Sequence, residues 1–243
     1  MRKSPRNVII AFNHGGLTHY GGTFFFHEFL RVLQIRRFLH RHLNYPRRNQ
    51  RYSLSQMVLA LVYPIILGLD RIETSSFLKN NGTFQYLTGL PDYPDPQSLR
   101  RFLLQAPPDF REQLHLLNDR LLQQFIHQPE RRSRLILDVD STVVTVFGFQ
   151  EGAAVGYNPR YRGKRSYDPL LCLEANASFL WDAELRPGNA GTWDGSVELL
   201  AGCFLSLPSD LREVRVRADA GFDFIRFWTC WSNGPPNTRW WHA

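Results

Sequence analysis

The stretch Arg134–Gly148, RLILDVDSTVVTVFG, constrains this chain more than any other. Leu135, Ile136, Leu137 and Val139, then Val143, Val144 and Val146, form a β-branched apolar run bounded by arginine-rich sequence and a glycine. Such a run predicts a strand buried on both faces. Two carboxylates, Asp138 and Asp140, lie inside it. An ionised aspartate in a buried strand costs roughly several kcal/mol unless a metal ion, a paired base or a phosphoryl group compensates it. One aspartate could simply cap the strand end beside Ser141 and Thr142. Two point to chemistry.

Charge divides the chain at the same place. Residues 1–134 hold 19 Lys+Arg against 9 Asp+Glu, and residues 135–243 hold 10 against 13, giving +10 and −3 and the net +7. A basic front half joined to a mildly acidic back half suggests a polyanion-binding part and a carboxylate-bearing part. Only Lys3, Lys79 and Lys164 are lysines. Arginine suits bidentate phosphate contacts. At 243 residues there is room for one large domain or two small ones. Cys172, Cys203 and Cys230 form no CxxC pair, so neither a zinc site nor a disulfide frame is indicated, and a reducing, cytoplasmic setting fits. The basic N-terminus has no sustained apolar run, so no signal peptide is expected. Met57–Leu69 contains Pro64 and is too short to span a bilayer, so no membrane partner is expected. His14 and His19 have no partners at metal-ligand spacing.

The front half reads as all-α. Helical spacing runs over His27–His42 with arginines between the apolar positions, NYPRRNQRY breaks it, and Ser53 or Ser55 caps a more apolar helix. A short helix follows near Arg71–Asn80, with one more helical turn at Phe84–Thr88. Asp95-Pro96 opens a helix carrying Arg100 and Arg101, and Asp109 caps a long one to about Gln128. A short helix, a turn and a basic helix are compatible with helix-turn-helix DNA binding, although ordinary bundles share the pattern. From Arg134 the texture changes to strands: the opening strand, a polar glycine-rich segment over Gln150–Arg165, and a hairpin over Pro169–Arg186. A helix capped by Thr192 or Asp194 follows, then a half-buried strand, Leu211–Ala218, ending in Asp219.

Three chemistries accommodate these aspartates. Two-metal phosphoryl transfer needs carboxylates on adjacent strands to hold Mg²⁺ through hard oxygen ligands. A β1-β2-β3-α-β4 sheet of the RNase H type sets its first and fourth strands side by side, bringing Asp138 or Asp140 next to Asp219. The string LILDVDST also matches the opening of a haloacid-dehalogenase-like phosphatase, with Asp138 as nucleophile and Asp140 as acid/base. That motif should lead into a helix, and here VVTVFGF continues as strand. A non-catalytic DNA-binding protein keeps the charge asymmetry but leaves the carboxylates unexplained.

The series LDVDSTVVTVFGFQEGAAVGYNPRYRGKRSYDPLLCLEA, ELRPGNAGTWDG and RADAGF, with the GGL opening, Asp70–Glu73 and GLPDYPDPQSLRRFL, resembles the DDE transposases of bacterial insertion sequences, group 1. The resemblance reaches about Phe222. It implies an α/β fold, an RNase H-like catalytic domain over 134–222 preceded by an α-helical DNA-binding region over 1–133. It implies Asp140 and Asp219 as catalytic, Mg²⁺-holding residues, with Asp138 as a neighbour. By the same resemblance Tyr157, Arg165, Tyr167, Arg186 and Asn189 shape the active-site face or touch DNA. The partner is DNA, at element ends and target, and self-association into a homo-oligomer is a further expectation.

The end of the chain departs from that pattern. The family's third acid, a glutamate, has no counterpart here, because Glu184 falls in the third strand and Asp223 lies only four residues past Asp219. Residues 223–243 hold Trp228, Trp231, Trp240 and Trp241 without a helical or strand period. A frameshifted tail accounts for them, with an aromatic DNA-stacking platform as the alternative. The resulting expectation is an incomplete catalytic domain, truncated and deficient in cleavage by itself.

Overall fold

A computed structural model of the chain describes residues 19–48, 51–69, 71–79, 81–88, 90, 92–126, 134–208, 211–219 and 238–242. His14, Asp70, Asp223, Trp228 and Trp231 lie outside the described residues. The chain divides into two compact units, Met1–Leu117 and Asn118–Ala243. The division falls inside a helix rather than at the expected 133/134 boundary, because the last turns of that helix pack with the sheet.

The first unit is helical. The single helix expected over 27–42 is two, α1 (Thr23–Val32) and α2 (Ile35–His42), separated where Gln34 takes a left-handed conformation with φ 51°. Next comes α3 (Leu54–Ile66), which Ser53 caps reciprocally. The Ser53 hydroxyl accepts from the Gln56 amide while the Gln56 side chain accepts from the Ser53 amide. A 3₁₀ turn (Ile72–Ser75), α4 (Ser76–Lys79) and α5 (Gly82–Thr88) follow. Pro96 opens α6 (Pro96–Leu104) at its first position, where the missing N–H costs nothing. The Asp95 carboxylate pairs with Lys79 at 2.5 Å instead of capping it. Buried Tyr63, Phe84 and Tyr93 meet edge-to-face at 5.5 and 5.8 Å, and the Tyr93 hydroxyl donates to the Ala60 carbonyl, so the core leaves that polar group satisfied. No described helix is long and apolar enough to cross a membrane.

Helix α7 (Phe110–Ile126) carries the chain into the second unit. Within that unit Asn118 donates to the Trp181 carbonyl at 2.8 Å, and Leu122 joins the core of the sheet. The sheet is built from β1 (Arg134–Ser141), β5 (Leu170–Glu174), β6 (Phe179–Glu184), β7 (Glu213–Ala218) and β8 (Thr238–His242), in the order β6-β5-β1-β7-β8. The hairpin strands β5 and β6 are antiparallel, as are β5 and β1, whereas β1, β7 and β8 run parallel. The parallel step from β6 to β7 is made by α8 (Ser196–Leu205), whose Leu199, Leu200 and Cys203 pack on Leu137, Val139, Cys172 and Val216.

Two expectations need correction. Strand β1 buries one face, not two: Leu135, Leu137 and Val139 face the core, while Ile136 and Asp138 are half-buried and Asp140 is exposed. Its period is therefore two. Nor does the end of the chain lack strand organisation, because Thr238–His242 pairs with β7 from Val214↔Thr238 to Ala218↔His242 and forms a fifth strand. Backbone pairing recruits this segment without any alternation of side-chain polarity, so no period announced it.

The polar segment after β1 also folds. β2 (Val144–Thr145), β3 (Ala154–Val155) and β4 (Arg165–Tyr167) form a separate sheet in the order β2-β4-β3. It leaves and rejoins the main sheet between β1 and β5.

Candidate active site

Strands β1 and β7 stay in parallel register up to Val139↔Ala218, and the next residues are Asp140, within β1, and Asp219, just past the end of β7. Residues opposite one another in register share a face of the sheet. Both aspartates are exposed. Their carboxylates thus emerge from neighbouring strand ends at the carboxyl edge of the parallel strands, where open α/β sheets bind ligands. Asp140 Oδ1 accepts from the Ser141 amide at 2.7 Å, which fixes the carboxylate. Its Oδ2 has no hydrogen-bond partner among the described residues.

Asp138 is differently placed. Arg217, its register partner on β7, donates Nε to Oδ1 and Nη2 to Oδ2, both at 2.6 Å. The hydrogen bonds that Arg217 donates to Asp138, and then the negative charge of Asp138, raise the Arg217 pKa above its ordinary value. A carboxylate held in this fork is a poor nucleophile, and β1 leads into a strand rather than a helix. Both observations count against the phosphatase reading. Glu184 ends β6, which β5 separates from β1. Among the described residues no group of three His, Cys, Asp or Glu could hold a metal ion. Asp140 and Asp219 fit Mg²⁺ in donor type, as hard oxygen ligands, and supply two of a set that usually needs more.

The segments joining the strands of the small sheet expose Phe147, Phe149, Tyr157 and Tyr161, with Phe149 91% and Tyr157 82% exposed. Arg160, Arg162, Lys164 and Arg165 are exposed beside them in sequence. Arg165 donates to the Ala153 carbonyl and lies 5.2 Å from the Phe149 ring centroid, and the Tyr167 hydroxyl donates to the Glu151 carbonyl. Asn189 is exposed in the loop after β6.

Arg186, expected to touch DNA, is instead 4% exposed and turned inward. Its Nε and Nη2 donate to the carbonyl and carboxylate of Asp168 at 3.0 and 2.9 Å. Its Nη1 reaches the carbonyls of Gly191, Thr192 and Asp194. It organises the 187–195 loop from within. The two candidate arginines of the helical unit also part company. Arg100 pairs with Glu73, whereas Arg101 lines a cleft with residues 45–48, 51 and 52.

Sequence reasoning passed over Phe147, Phe149 and the 45–52 stretch. The signal was present in both, as aromatics interleaved with cations (FGF and RYRGKR, then YPRRNQRY), but it lacks a period that would tell a surface from a core.

Among curated proteins no sequence matches this chain. A solved structure titled as a piggyBac transposase synaptic complex with hairpin DNA is similar at 12% identity and TM-score 0.43, over 79% of this chain and 42% of that one. The chain therefore spans less than half of that protein's length. The family model for the transposase DDE domain, group 1, matches residues 2–233, a span that takes in both Asp140 and Asp219 and continues beyond Phe222. With the match covering nearly its whole length, this chain belongs to the transposase DDE domain group 1 family.

Proposed function

We propose that the chain carries the carboxylates of a DNA transposase, a Mg²⁺-dependent enzyme that cleaves DNA strands and joins the freed 3′-hydroxyl to target DNA. The observation that supports this most is the placement of Asp140 and Asp219 at adjacent ends of two parallel strands, immediately past Val139↔Ala218. Asp140, oriented by the Ser141 amide, and Asp219 would hold the metal. Bound Mg²⁺ supplies charge stabilisation for the attacking and leaving oxygens of an in-line phosphoryl displacement. Asp138 stays with Arg217 and keeps a positive group on the face that approaches the polyanion. The exposed aromatics and cations of the β2-β4-β3 sheet suit stacking and phosphate contact with DNA, with Arg165 and Asn189 among the contacts. The helical region supplies further salt-dependent DNA affinity.

Among the described residues no third acid joins Asp140 and Asp219, since Asp138 is held by Arg217, and two carboxylates hold a metal pair weakly, so slow cleavage by this chain alone is the expected behaviour. The test is Mn²⁺ binding by calorimetry together with strand cleavage on DNA ends. Weak binding that disappears in Asp140→Asn and Asp219→Asn and survives in Asp138→Asn is the expected result. Binding indifferent to Asp140 and Asp219, or rapid cleavage that persists in Asp140→Asn, would overturn the assignment.

A further inference from the structure

The helical unit contains a cleft of about 530 Å³ between residues 45–48, 51 and 52 on one side and α6 on the other. Its lining brings together four arginines, Arg47, Arg48, Arg51 and Arg101, against a single acid, Asp95. Asp95 is already engaged by Lys79, and Arg51 by Asp92 at 2.5 Å. Arg48 and Arg101 are exposed and have no ion-pair partner among the described residues. The concave wall is thus a concentration of like charge that the protein itself leaves largely uncompensated.

Aromatic rings lie against two of these cations, Arg47 and Arg51. Tyr45 stacks on Phe102 at 4.8 Å, and the Arg47 guanidinium lies 5.9 and 5.6 Å from the two ring centroids. One of its nitrogens donates to the Tyr52 carbonyl at 2.6 Å, leaving other donors of the fork available. Burial lowers the Arg47 pKa from its ordinary value, so an anion in the cleft would relieve a desolvated cation. Arg51 lies 5.5 Å from the Tyr52 ring centroid. Because these rings already carry guanidinium groups or each other, they offer little free face to a base. The cleft is built for phosphate rather than for base stacking.

We infer that this cleft is a phosphodiester site, in which Arg47, Arg48 and Arg101 grip the backbone of duplex DNA without reading its sequence. The inference rests on the reading of the chain as a DNA-handling protein and assigns one site of that handling. It also separates two neighbours on α6: Arg101 faces the cleft, whereas Arg100 is spent on Glu73.

The test is equilibrium binding of the full chain to a fluorescent duplex across a salt series in EDTA, where strand cleavage plays no part. Arg101→Ala and Arg48→Ala should each weaken binding roughly three- to tenfold and reduce the slope of log affinity against log salt by about 0.9. Arg100→Ala should change neither. Unchanged melting temperatures are expected for all three variants, since Arg48 and Arg101 have no ion-pair partner among the described residues and the Arg100–Glu73 pair is solvent-exposed. Binding in which Arg101→Ala matches the wild type, or in which Arg100→Ala is as damaging as Arg101→Ala, overturns the site. Competition by inorganic pyrophosphate at constant ionic strength forms a separate arm. If pyrophosphate binding depends on Arg101 while DNA binding does not, the cleft serves a small phosphate ligand and the DNA assignment fails. Loss of this site would leave the Asp140- and Asp219-dependent metal binding untouched, so the two readings fail separately.

Discussion

Arg217 grips both oxygens of Asp138 across the β7–β1 ladder, two residues before Asp140 and on the same face of the sheet. The pair gives that face an ordered cation next to the carboxylates that would hold metal. Both side chains keep substantial solvent contact, at 42% and 33% exposure. Screening therefore limits what the pair contributes to stability to about 1 kcal/mol or less. Asp138→Asn should lower stability by no more than that, measured by chemical denaturation, while leaving Mn²⁺ binding near the wild-type level. Arg217→Ala frees the Asp138 carboxylate, and Mn²⁺ affinity should then rise rather than fall. A drop in affinity in Arg217→Ala would show that the guanidinium orders the site instead of competing with it.

Arg186 is the opposite case. Its guanidinium and the Asp168 carboxylate are almost wholly buried, at 4% and 12% exposure, and all three nitrogens are bonded. Removing one partner leaves an uncompensated buried charge on Asp168. Arg186→Ala should cost about 3–5 kcal/mol, and Arg186→Lys should recover little of it, because an ammonium cannot reproduce the planar fork. A stable Arg186→Ala protein with weakened DNA binding would restore the surface role that the sequence suggested.

The contrast between these two arginines shows what the sequence could carry. Strands β1, β5 and β6 were legible as short apolar runs, and β7 because Val214 and Val216 alternate with charged residues, whereas the single buried face of β1 was not, since Ile136 sits between Leu135 and Leu137. Asp138 and Asp140 stood out as carboxylates within an apolar run, and Asp219 as one at a strand's exit. Side-chain direction is another matter. Nothing in RPGN distinguishes an arginine that turns inward to five acceptors from one that meets solvent. Gln34 likewise breaks a helical period that its neighbours continue. The small sheet was missed because its strands are only two or three residues long, too short for any period to register.

Backbone contact, not side-chain packing, fixes that small sheet against the 187–191 loop. A Cβ on Gly156 would sit 1.8 Å from the Gly188 carbonyl oxygen, and one on Gly188 would fall 2.6 Å from the Ser166 carbonyl oxygen. Backbone atoms cannot yield as a side-chain tip can. Gly156→Ala and Gly188→Ala should each cost about 3 kcal/mol or more. Gly163 provides the control: its φ of +73° is left-handed, but nothing lies within 4 Å of an added Cβ. Gly163→Ala should lose only about 1–2 kcal/mol, the conformational penalty alone. Urea denaturation of the three variants compares them directly, and equal losses would mean that the loop readjusts at no cost.

His27 gives the helical unit a dependence on acid. On α1 its Nδ1 lies 3.1 Å from the Tyr63 hydroxyl oxygen, and both side chains are buried. Burial first, and then the positive charges of Arg36 and Arg31, lower the His27 pKa below its ordinary 6.5, with Glu28 opposing. Burial also raises Tyr63 to about 12, so its hydroxyl stays protonated and can donate to the neutral imidazole. The folded state therefore favours neutral His27 more than the unfolded chain does. Stability from this group is complete above pH 6.5, declines as pH falls from 6.5 to the lowered folded value, and is constant below it. Within that window the loss cannot exceed about 1.4 kcal/mol per pH unit for one proton. Urea unfolding at pH 7.5 and 5.5 should show a larger acid-induced loss for the wild type than for His27→Gln, which cannot take up the proton. A ring-proton titration of His27 by NMR should place its midpoint below 6.5. A midpoint at or above 6.5, or equal acid sensitivity in the two proteins, would mean that the Tyr63 contact and Glu28 outweigh burial at this position.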